Sequence, residues 1–311
     1  MKRFDLSVLG ELNSDLILYG LPPVLELERE HLASDFAMTL GSSSAIFAHN
    51  ISLLGSRVGF TSCIGDDPLG KFCMERLSES GVDVSGVKCL PKKNTGVTVI
   101  LPLGEKRHIL TYPGTTFDLQ YEHVDLDYLC GAAHFHLSSF FLLRALRPAL
   151  PKLFSQMKQA GLTTSLDTND DPENIWADDV KTVLKSVDVF LPNEREACKL
   201  AGTGDVERSL DVLSQLVPIV VIKCGSQGAF ARRGKDRFHS ASVSVQPVDT
   251  VGAGDSFNAG FLHKFMRGAG LQDCLDYGNV SASLSTTRAG GTEAFRDQQH
   301  RESFLQRLGK M

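Results

Sequence analysis

The 311-residue chain lacks an excess of basic residues, closely spaced cysteines and any apolar run long enough to cross a bilayer. Its 32 Lys and Arg are outnumbered by 37 Asp and Glu, so the basic surface needed for general nucleic-acid binding is not expected. The 7 cysteines form no CxxC pair, which disfavours a zinc site or a disulfide framework and favours free thiols. The longest uncharged stretch, Tyr128 to Leu143, is shorter than a membrane span. Acidic residues interrupt the amino-terminal segment where a signal peptide needs an apolar core. We therefore expect a cytoplasmic protein that binds neither nucleic acid nor membrane.

Short apolar runs alternate with amphipathic segments along most of the chain. The runs are Leu6–Leu9, Val58–Thr61, Ala132–Leu137, Thr163–Leu166, Val187–Leu191 and Ile219–Ile222. Their near-continuous hydrophobicity is typical of strands buried on both faces of a parallel sheet. Intervening segments that stop at a glycine, as helices often do, are Ala45–Leu54, Leu69–Ser80 and Leu146–Ala160. The alternation predicts an α/β fold, doubly wound, with a mostly parallel sheet and helices on both faces.

Two regions interrupt this alternation. Residues 12–40 follow the first strand without a helical pattern. The second region predicts an antiparallel hairpin, with strands Val97–Leu103 and Arg107–Tyr112 and a turn at Gly104-Glu105. We interpret residues 12–40 and 92–118 as a discontinuous β-sheet lid over the carboxyl edge of the main sheet, within a single domain spanning the chain. A sheet that only decorates the domain, or that joins two copies into a homodimer, accounts for the same pattern.

The most informative segment, DTVGAGDSFNAGF, begins at Asp249. Apolar residues recur at helical spacing after its Gly252-Ala253-Gly254, which places these small residues at a helix N-terminus. Unpaired amides and the positive end of the helix dipole make such a position an anion site. Asp255, in the first helical turn, is then beside the bound charge and able to accept a proton from an attacking hydroxyl. A carboxylate that only stabilises the helix dipole is the alternative, but the whole segment is more specific than a lone GxG.

This segment resembles, position for position, the second signature of the ribokinase-like (PfkB) carbohydrate kinase family. The resemblance extends from the GELNSD stretch at Gly10 to the RAGG stretch at Arg288. Members of that family have a large α/β domain with a small β lid, and they phosphorylate sugars, sugar acids or nucleosides with Mg-ATP. By this resemblance, Asp255 is the catalytic base, and Gly252, Ala253 and Gly254 form the anion hole that stabilises the transition state.

The resemblance also implies sites for ATP and magnesium. Asn193 and Glu196 are similar to the family's N-x-x-E motif, whose carboxylate holds Mg²⁺ through water. Their spacing alone equally describes an N-cap with a capping box. Lys223, Gly225 and Gly228 follow a predicted strand and resemble the family's loop around the ATP, although a plain strand–turn–strand also explains these glycines.

Two further sites come from the resemblance alone. Asn279, on a later helix, corresponds to a position near the adenine. Positions at which relatives bind a monovalent cation such as K⁺ are Asp249, Val251, Ser285, Arg288 and Gly290. That cation site depends on carbonyl oxygens, which a sequence does not show.

Candidate acceptor-binding residues follow the first strand. Asn13 and Asp15, spaced by two, share one side of an extended segment and match the family's sugar-contacting pair, with an Asx-turn as the alternative. The segment from Gly41 to Ile46 resembles the family's first signature but departs from it twice. Ser42 replaces the second glycine, and Ile46 stands where an asparagine contacts the sugar. Because that amide is lost and the wall becomes apolar, we expect an acceptor other than ribose, either a different polyol or a ligand with an apolar edge.

Strand ends elsewhere supply weaker candidates. Ser138 falls where some relatives carry a substrate-contacting glutamate, although an ordinary strand position is the simpler interpretation. Arg107, on the predicted hairpin, could reach over a bound substrate. Asp167 and Asn169 end another predicted strand and face the same cleft, but the sequence assigns them no role.

The sequence therefore predicts a kinase that phosphorylates a hydroxyl of a sugar or related polyol with ATP. A nucleoside kinase of the same family shares the anion-hole segment and remains an alternative. A catalytically silent ligand-binding homologue is a second alternative, because the first signature is altered. A Rossmann dehydrogenase is disfavoured, since no G-x-G-x-x-G follows the first strand.

Overall fold

The structure, a computed structural model, describes residues 2–103, 106–176 and 178–309. Its strands are β1 Phe4–Leu9, β2 Ser14–Tyr19, β3 Asp35–Leu40, β4 Val58–Gly65, β5 Asp83–Leu90, β6 Val97–Leu103, β7 Lys106–Tyr112, β8 Ala132–Ser138, β9 Thr163–Asp167, β10 Val189–Phe190, β11 Ile219–Lys223, β12 Ala229–Arg233 and β13 Asp236–Ser240. Its α-helices are α1 Ser43–Leu53, α2 Pro68–Glu79, α3 Leu126–Cys130, α4 Leu150–Gln159, α5 Asp179–Leu184, α6 Glu194–Ala201, α7 Val206–Leu213, α8 Ala253–Phe265, α9 Leu271–Ser285, α10 Glu293–Arg296 and α11 Gln298–Arg307. Within these ranges, no helix has both the length and the apolar composition needed to cross a membrane.

The main sheet has 9 strands in the order β13-β12-β11-β10-β9-β8-β1-β4-β5. Strands β11 to β5 in this order are parallel, and β12 and β13 extend one edge as an antiparallel hairpin. One hydrophobic core joins the sheet to helices α3 to α7, and a second joins its other face to α1, α2, α8 and α9. Helices thus cover both faces of a mostly parallel sheet, which confirms the predicted doubly wound α/β fold. The central strands are apolar on both faces because both faces are buried.

Two predicted elements differ in extent from the observed ones. Strand Val187–Leu191 is reduced to β10, because the Val187 amide donates to the Leu184 carbonyl in the turn that follows α5. Helix Leu146–Ala160 begins only at Leu150. A 3₁₀ turn, Arg147–Ala149, precedes it and contains Pro148, which has no amide to donate.

A separate sheet of 4 strands, in the order β3-β2-β6-β7, follows the carboxyl end of β1. Strand β2 pairs antiparallel with β3 and parallel with β6, and β6 and β7 form the predicted hairpin. Its predicted turn at Gly104 and Glu105 lies outside the described residues. At the edge of this sheet opposite β7, the chain passes from β3 through Gly41 and Ser42 into α1. The small sheet is confirmed, and its action as a lid stays a prediction.

Candidate active site

Polar side chains from distant parts of the chain gather at the carboxyl edge of the main sheet. Parallel strands end there together, and ligands of open α/β sheets bind at that edge. Glu11 follows β1, Ser139 follows β8, Asp167 ends β9 and Lys223 ends β11. Helix α8 begins over the same edge and brings Asp255 to these groups.

The predicted anion cradle forms the start of α8. Gly252 is its N-cap with φ 71°, and a Cβ at this position would lie 2.7 Å from the Cα of Gly291. Only glycine fits this conformation and this approach without strain. In the part of the chain that the structure describes, the amides of Gly254 and Asp255 have no hydrogen-bond acceptor. These free amides, at the positive end of a helix of 13 residues, are suited to bind a phosphate group.

Asp255 is buried in the first turn of α8, with 8% of its surface exposed. Burial, followed by the charge of the nearby Asp167 carboxylate, raises the pKa of this carboxyl to about 7. The Lys223 ammonium and a hydrogen bond from Ser43 act in the opposite direction. A carboxyl group with a pKa near neutrality is able to take up a proton and release it again at physiological pH.

Lys223 and Asp167 form a buried ion pair near Asp255. The Lys223 Nζ donates to Asp167 Oδ2 at 2.6 Å, and the side-chain amide of Asn258 donates to the same oxygen. Only 12% of the lysine side chain and 1% of the aspartate side chain are exposed. Burial alone would lower the pKa of Lys223, but the Asp167 and Glu196 carboxylates outweigh it and leave the pKa raised. The lysine is therefore held as a cation inside the site.

Asn193 and Glu196 form the capping box that their spacing describes. The Asn193 Oδ1 accepts from the Glu196 amide at 2.9 Å, and Glu196 Oε2 accepts from the Asn193 amide at 3.0 Å. Burial raises the pKa of Glu196 to about 8, with Asp167 adding to the effect and Lys223 opposing it. The pair thus caps α6 and also lies within electrostatic reach of the buried ion pair.

The donor set at this edge fits a hard divalent cation bound largely through water. Among the described residues, no three His, Cys, Asp or Glu side chains lie close enough together to hold a metal ion by themselves. However, the buried carboxyl group of Glu196 lies within electrostatic reach of both Asp167 and Lys223. Carboxyl oxygens suit Mg²⁺, which usually keeps several waters and takes phosphate oxygens as further ligands.

The candidate acceptor residues Asn13, Asp15 and Gly41 lie together where β2 and β3 leave the main sheet. The Asn13 Oδ1 accepts from the Thr116 hydroxyl at 3.1 Å, and the Asn13 amide donates to Ser42 Oγ at 2.9 Å. A Cβ at Gly41 would lie 2.0 Å from Asp15 Oδ1, so the carboxylate needs a glycine there. Burial, followed by the charges of Asp255 and Asp249, raises the pKa of Asp15 to about 7. Asp15 and Asp255 are therefore within electrostatic reach of each other.

A second polar network in the site was not predicted. The buried Glu11 carboxylate accepts from the hydroxyls of Ser44 at 2.7 Å and Ser139 at 2.6 Å. The Asn169 side-chain amide donates to Ser139 Oγ at 2.8 Å and to Ser43 Oγ. Ser43 also lowers the pKa of Asp255, so the network extends from the end of β1 to the surroundings of that carboxyl. The only sequence signal for it was a polar residue at the end of each of three predicted strands.

Ile46 and Ser138 lie at the margin of the site. Ile46 is 3% exposed, and a Cβ placed on Gly252 or Gly291 would lie 3.1 or 2.7 Å from its side chain. It therefore packs against the glycines of the anion cradle. The Ser138 hydroxyl is bonded to His136 Nε2 at 2.9 Å inside the sheet, whereas its neighbour Ser139 supplies the hydroxyl of the Glu11 network. A substrate contact by Ser138 stays a prediction.

The candidate nucleotide loop follows β11. Gly228 has φ 84°, and a Cβ there would lie 2.0 Å from the Ser240 carbonyl oxygen, whereas Gly225, with φ 54°, has open space around it. The side-chain amide of Asn279 donates to the carbonyls of Ser240 at 2.9 Å and Ala241 at 3.2 Å. Asn279 thus fastens α9 to the end of β13, behind the loop that begins at Lys223.

The segments of the candidate monovalent-cation site are joined by Asp249. Its Oδ1 accepts from the Val251 amide and its Oδ2 from the Gly290 amide, both at 2.9 Å. The Ser285 hydroxyl donates to the Ala282 carbonyl, and the Arg288 side chain pairs with Asp297. The carboxylate and these side chains are therefore engaged, and a cation here depends on backbone carbonyls.

The small sheet contacts the anion-cradle loop, and a cavity opens beside it. Arg107 on β7 donates to the Thr250 hydroxyl at 3.3 Å. The cavity has a volume of about 290 Å³ and is lined in part by Phe117, Phe141 and Asp171. Each lies one or two residues after Thr116, Ser139 or Asn169, the residues described above at the acceptor side. The cavity is therefore lined by the same chain segments that carry these residues.

Comparison with known proteins gives one consistent result. A profile described as pfkB family carbohydrate kinase matches residues 3–298. The chain is 26% identical over 314 residues to ribokinase from Haemophilus influenzae, covering 98% of this chain and 99% of that protein. It is 28% identical over 289 residues to 2-dehydro-3-deoxygluconokinase from Bacillus subtilis, covering 88% and 89% of the two chains. The crystal structure of an E. coli protein provisionally assigned as ribokinase II, in complex with ATP and Mg²⁺, has a TM-score of 0.86 at 26% identity, with 98% and 99% coverage.

Proposed function

The chain belongs to the pfkB family of carbohydrate kinases, and from this premise we propose that it transfers the γ-phosphoryl group of ATP to a hydroxyl of a sugar or related polyol. The observation that carries the proposal is the position of Asp255. Its carboxyl is buried in the first turn of α8, next to two free amides and a lysine ammonium. A proton acceptor and an anion site are thus within one helical turn of each other.

In the proposed reaction, the acceptor hydroxyl gives its proton to the Asp255 carboxylate as its oxygen attacks the γ-phosphorus. The bond between the γ-phosphorus and the β–γ bridging oxygen breaks, and ADP leaves. The amides of Gly254 and Asp255 stabilise the charge that develops on the transferred group, and Gly252 and Ala253 shape the turn that exposes them. Magnesium, when bound, neutralises the phosphate charge, and Glu196 would hold it through water.

We assign the nucleotide to the loop from Lys223 to Gly228, with Asn193 at the phosphate side and Asn279 near the adenine. The open space at Gly225 and the turn at Gly228 leave room for a ligand to lie along this loop. A monovalent cation such as K⁺ is assigned to the carbonyls around Asp249 and Gly290, which the Asp249 carboxylate already holds together. The E. coli structure in complex with ATP and Mg²⁺ supports the same nucleotide and metal for this chain.

The acceptor is assigned to the space between Asn13, Asp15 and Gly41. The carboxylates of Asp15 and Glu11 are suited to accept hydrogen bonds from hydroxyl groups of the substrate. The Ile46 side chain makes the wall beside Gly252 apolar. The lid action of the small sheet is supported by the Arg107–Thr250 contact, which joins that sheet to the anion-cradle loop.

Asp255→Asn tests the proposal. We expect this variant to retain ATP binding, measured by calorimetry, and to lose turnover by about 10²–10⁴-fold, because the general base is removed. The matched control is Asp273→Asn, since Asp273 also lies in the first turn of a helix, α9, and its side chain makes no hydrogen bond or ion pair with the other described residues. Near-normal turnover of Asp255→Asn, or an equal loss in both variants, would contradict the assignment.

ADP release from a panel of acceptors separates the remaining candidates. Free sugars, sugar acids and nucleosides are to be compared at saturating Mg-ATP with the purified full-length chain. The proposal predicts release with a sugar or polyol and a weak response to ribose. A response confined to nucleosides would favour the nucleoside kinase, and no response to any acceptor would favour a catalytically silent binding protein.

We also propose that two copies of the chain form a homodimer through the small sheet. One face of this sheet carries side chains of Leu16, Met38, Val99 and Leu110, which are cross-strand neighbours in register. Met38 and Leu110 are 40% and 57% exposed. Asp15, which alternates with Leu16 along β2, faces the other way, toward the acceptor site. A second copy of the chain presents the same apolar face and would cover it.

A further inference from the structure

The ion pair between Lys223 and Asp167 is the most buried salt bridge in the described part of the chain, with side-chain exposures of 12% and 1%. Other pairs, such as Lys158 with Asp188, keep at least one side chain substantially in contact with solvent. Withdrawing two charges from water is costly, and a buried ion pair commonly adds little net stability. The pair therefore calls for an explanation in the chemistry of the site.

We propose, on the basis of the kinase function above, that Asp167 is a positioning residue. Together with Asn258, it holds the Lys223 ammonium between the anion cradle and Asp255, so that one buried cation serves both the transferred phosphoryl group and the base. Asp167 is assigned no role by the sequence motifs, and it contacts neither the acceptor nor the nucleotide in this assignment.

The geometry supports the first half of this proposal. A Cβ at Gly254 would lie 3.6 Å from Lys223 Nζ, so the ammonium adjoins the free amides at the start of α8. An ammonium has three N–H donors, and Asp167 Oδ2 takes one of them. The other two are available to an anion that arrives at the cradle.

Asn258 links the ion pair to the base. It lies on α8, three residues after Asp255, and its side-chain amide donates to the same Asp167 oxygen as Lys223 does. Residues three apart share a helix face. The helix that carries the base is thus fastened to the aspartate that holds the lysine, and the distance between ammonium and base is set by one rigid unit.

The charged groups that act on Asp255 lie on, or directly after, four strands of the two sheets. Asp167 from β9, Glu11 after β1 and Asp15 on β2 are carboxylates, and Lys223 from β11 is the cation among them. Glu196 on α6 acts on Lys223 from the opposite side. In this setting, loss of the Lys223 charge raises the pKa of Asp255, and loss of the Asp167 charge lowers it.

The pH dependence of kcat/KM for ADP release, with the acceptor found in the panel, tests this inference. In wild type, activity should fall below about pH 7, where the base becomes protonated. Asp167→Asn should move this acid limb to lower pH and Lys223→Met should move it to higher pH, each by about 1 unit, the usual effect of one close charge. A purely structural role would reduce activity in both variants without moving the limb in opposite directions.

Asp188→Asn is the matched control. Asp188 pairs with Lys158 through two contacts, at 2.7 and 2.8 Å, and no contact joins this pair to the base. The acid limb should therefore keep its position in this variant. A limb that is unmoved in Asp167→Asn and Lys223→Met, or moved equally in Asp188→Asn, would overturn the proposal.

A measurement without any acceptor separates this inference from the kinase assignment. The folded protein binds the Asp255 proton more tightly than the unfolded chain, where the pKa is 3.8, so stability falls as pH rises from about 4 to about 7. The free energy of unfolding of Asp255→Asn, minus that of wild type, should therefore rise over this interval and then stay constant. The pH at which it levels off reports the titration of Asp255.

In the Asp167→Asn background, this levelling-off should occur at lower pH, and in the Lys223→Met background at higher pH. Opposite shifts without ADP release from any acceptor would support the inference and contradict the kinase assignment. ADP release with no shift in either background would contradict the inference and leave the kinase assignment standing.

Discussion

At the scale of single residues, Gly252 shows why the predicted anion cradle could be recognised in the sequence. Its φ of 71° and its 2.7 Å approach to Gly291 are requirements that only a residue without a Cβ meets. Asp255 follows at a fixed place in the first helical turn. Such features depend on the local chain, and the motif therefore predicted both the helix N-terminus and the carboxylate beside it.

Gly252→Ala should reduce both stability and turnover. The left-handed conformation alone costs an alanine about 1 kcal/mol, and the clash with Gly291 Cα must displace the cradle backbone as well. Gly202→Ala is the control, because Gly202 has φ 66° with nothing within 4 Å of its Cβ position. Urea unfolding and kcat/KM check the prediction. Equal destabilisation of the two variants, with full activity in Gly252→Ala, would contradict the close packing at the cradle.

At the scale of elements, β8 and β9 are joined by a buried polar network as well as by their backbone pairing. Ser165 Oγ lies 2.7 Å from a ring nitrogen of His134 and 2.7 Å from one of His136. The remaining ring nitrogens bond Thr163 at 2.7 Å and Ser138 at 2.9 Å. Burial lowers the pKa of His134 to about 3 and that of His136 well below its ordinary value, so both rings are neutral.

Ser165→Ala should lower the free energy of unfolding by about 2–4 kcal/mol, because two buried ring nitrogens lose their shared partner. The control is Ser155→Ala, a partly exposed serine on α4, for which a change within about 0.5 kcal/mol is expected. Chemical denaturation at pH 7 measures both. A small effect at Ser165 would show that the network contributes little to the pairing of β8 with β9.

The elements also show what a pattern of apolar residues does and does not predict about strands. Runs of apolar residues located the central strands, because strands buried on both faces are apolar throughout. The pattern overestimated β10, since Val187 and Leu191 are buried but lie outside the strand, on either side of it. Burial and strand pairing are separate properties, and an apolar run reports only the first.

At the scale of the whole molecule, the outer face of the small sheet determines the expected assembly. Leu110→Glu places a charge in the middle of this face and should convert the dimer to a monomer, because a buried unpaired carboxylate is costly. Sedimentation velocity measures the outcome. Ile109→Glu is the control: Ile109 is also exposed, at 55%, but its side chain points to the opposite face of β7. A wild-type monomer, or dissociation in both variants, would contradict the proposed interface.

The amino-acid order was sufficient for the α/β class, the small additional sheet, the glycine cradle and Asp255, since periodicity, caps and backbone conformation are set within a few neighbouring residues. It was not sufficient for the residues that surround Asp255. Glu11, Ser139, Asp167 and Lys223 end four strands that are far apart along the chain. They meet because β1, β8, β9 and β11 run parallel and finish at one edge, and the order of strands in the sheet is a long-range property that local patterns do not contain.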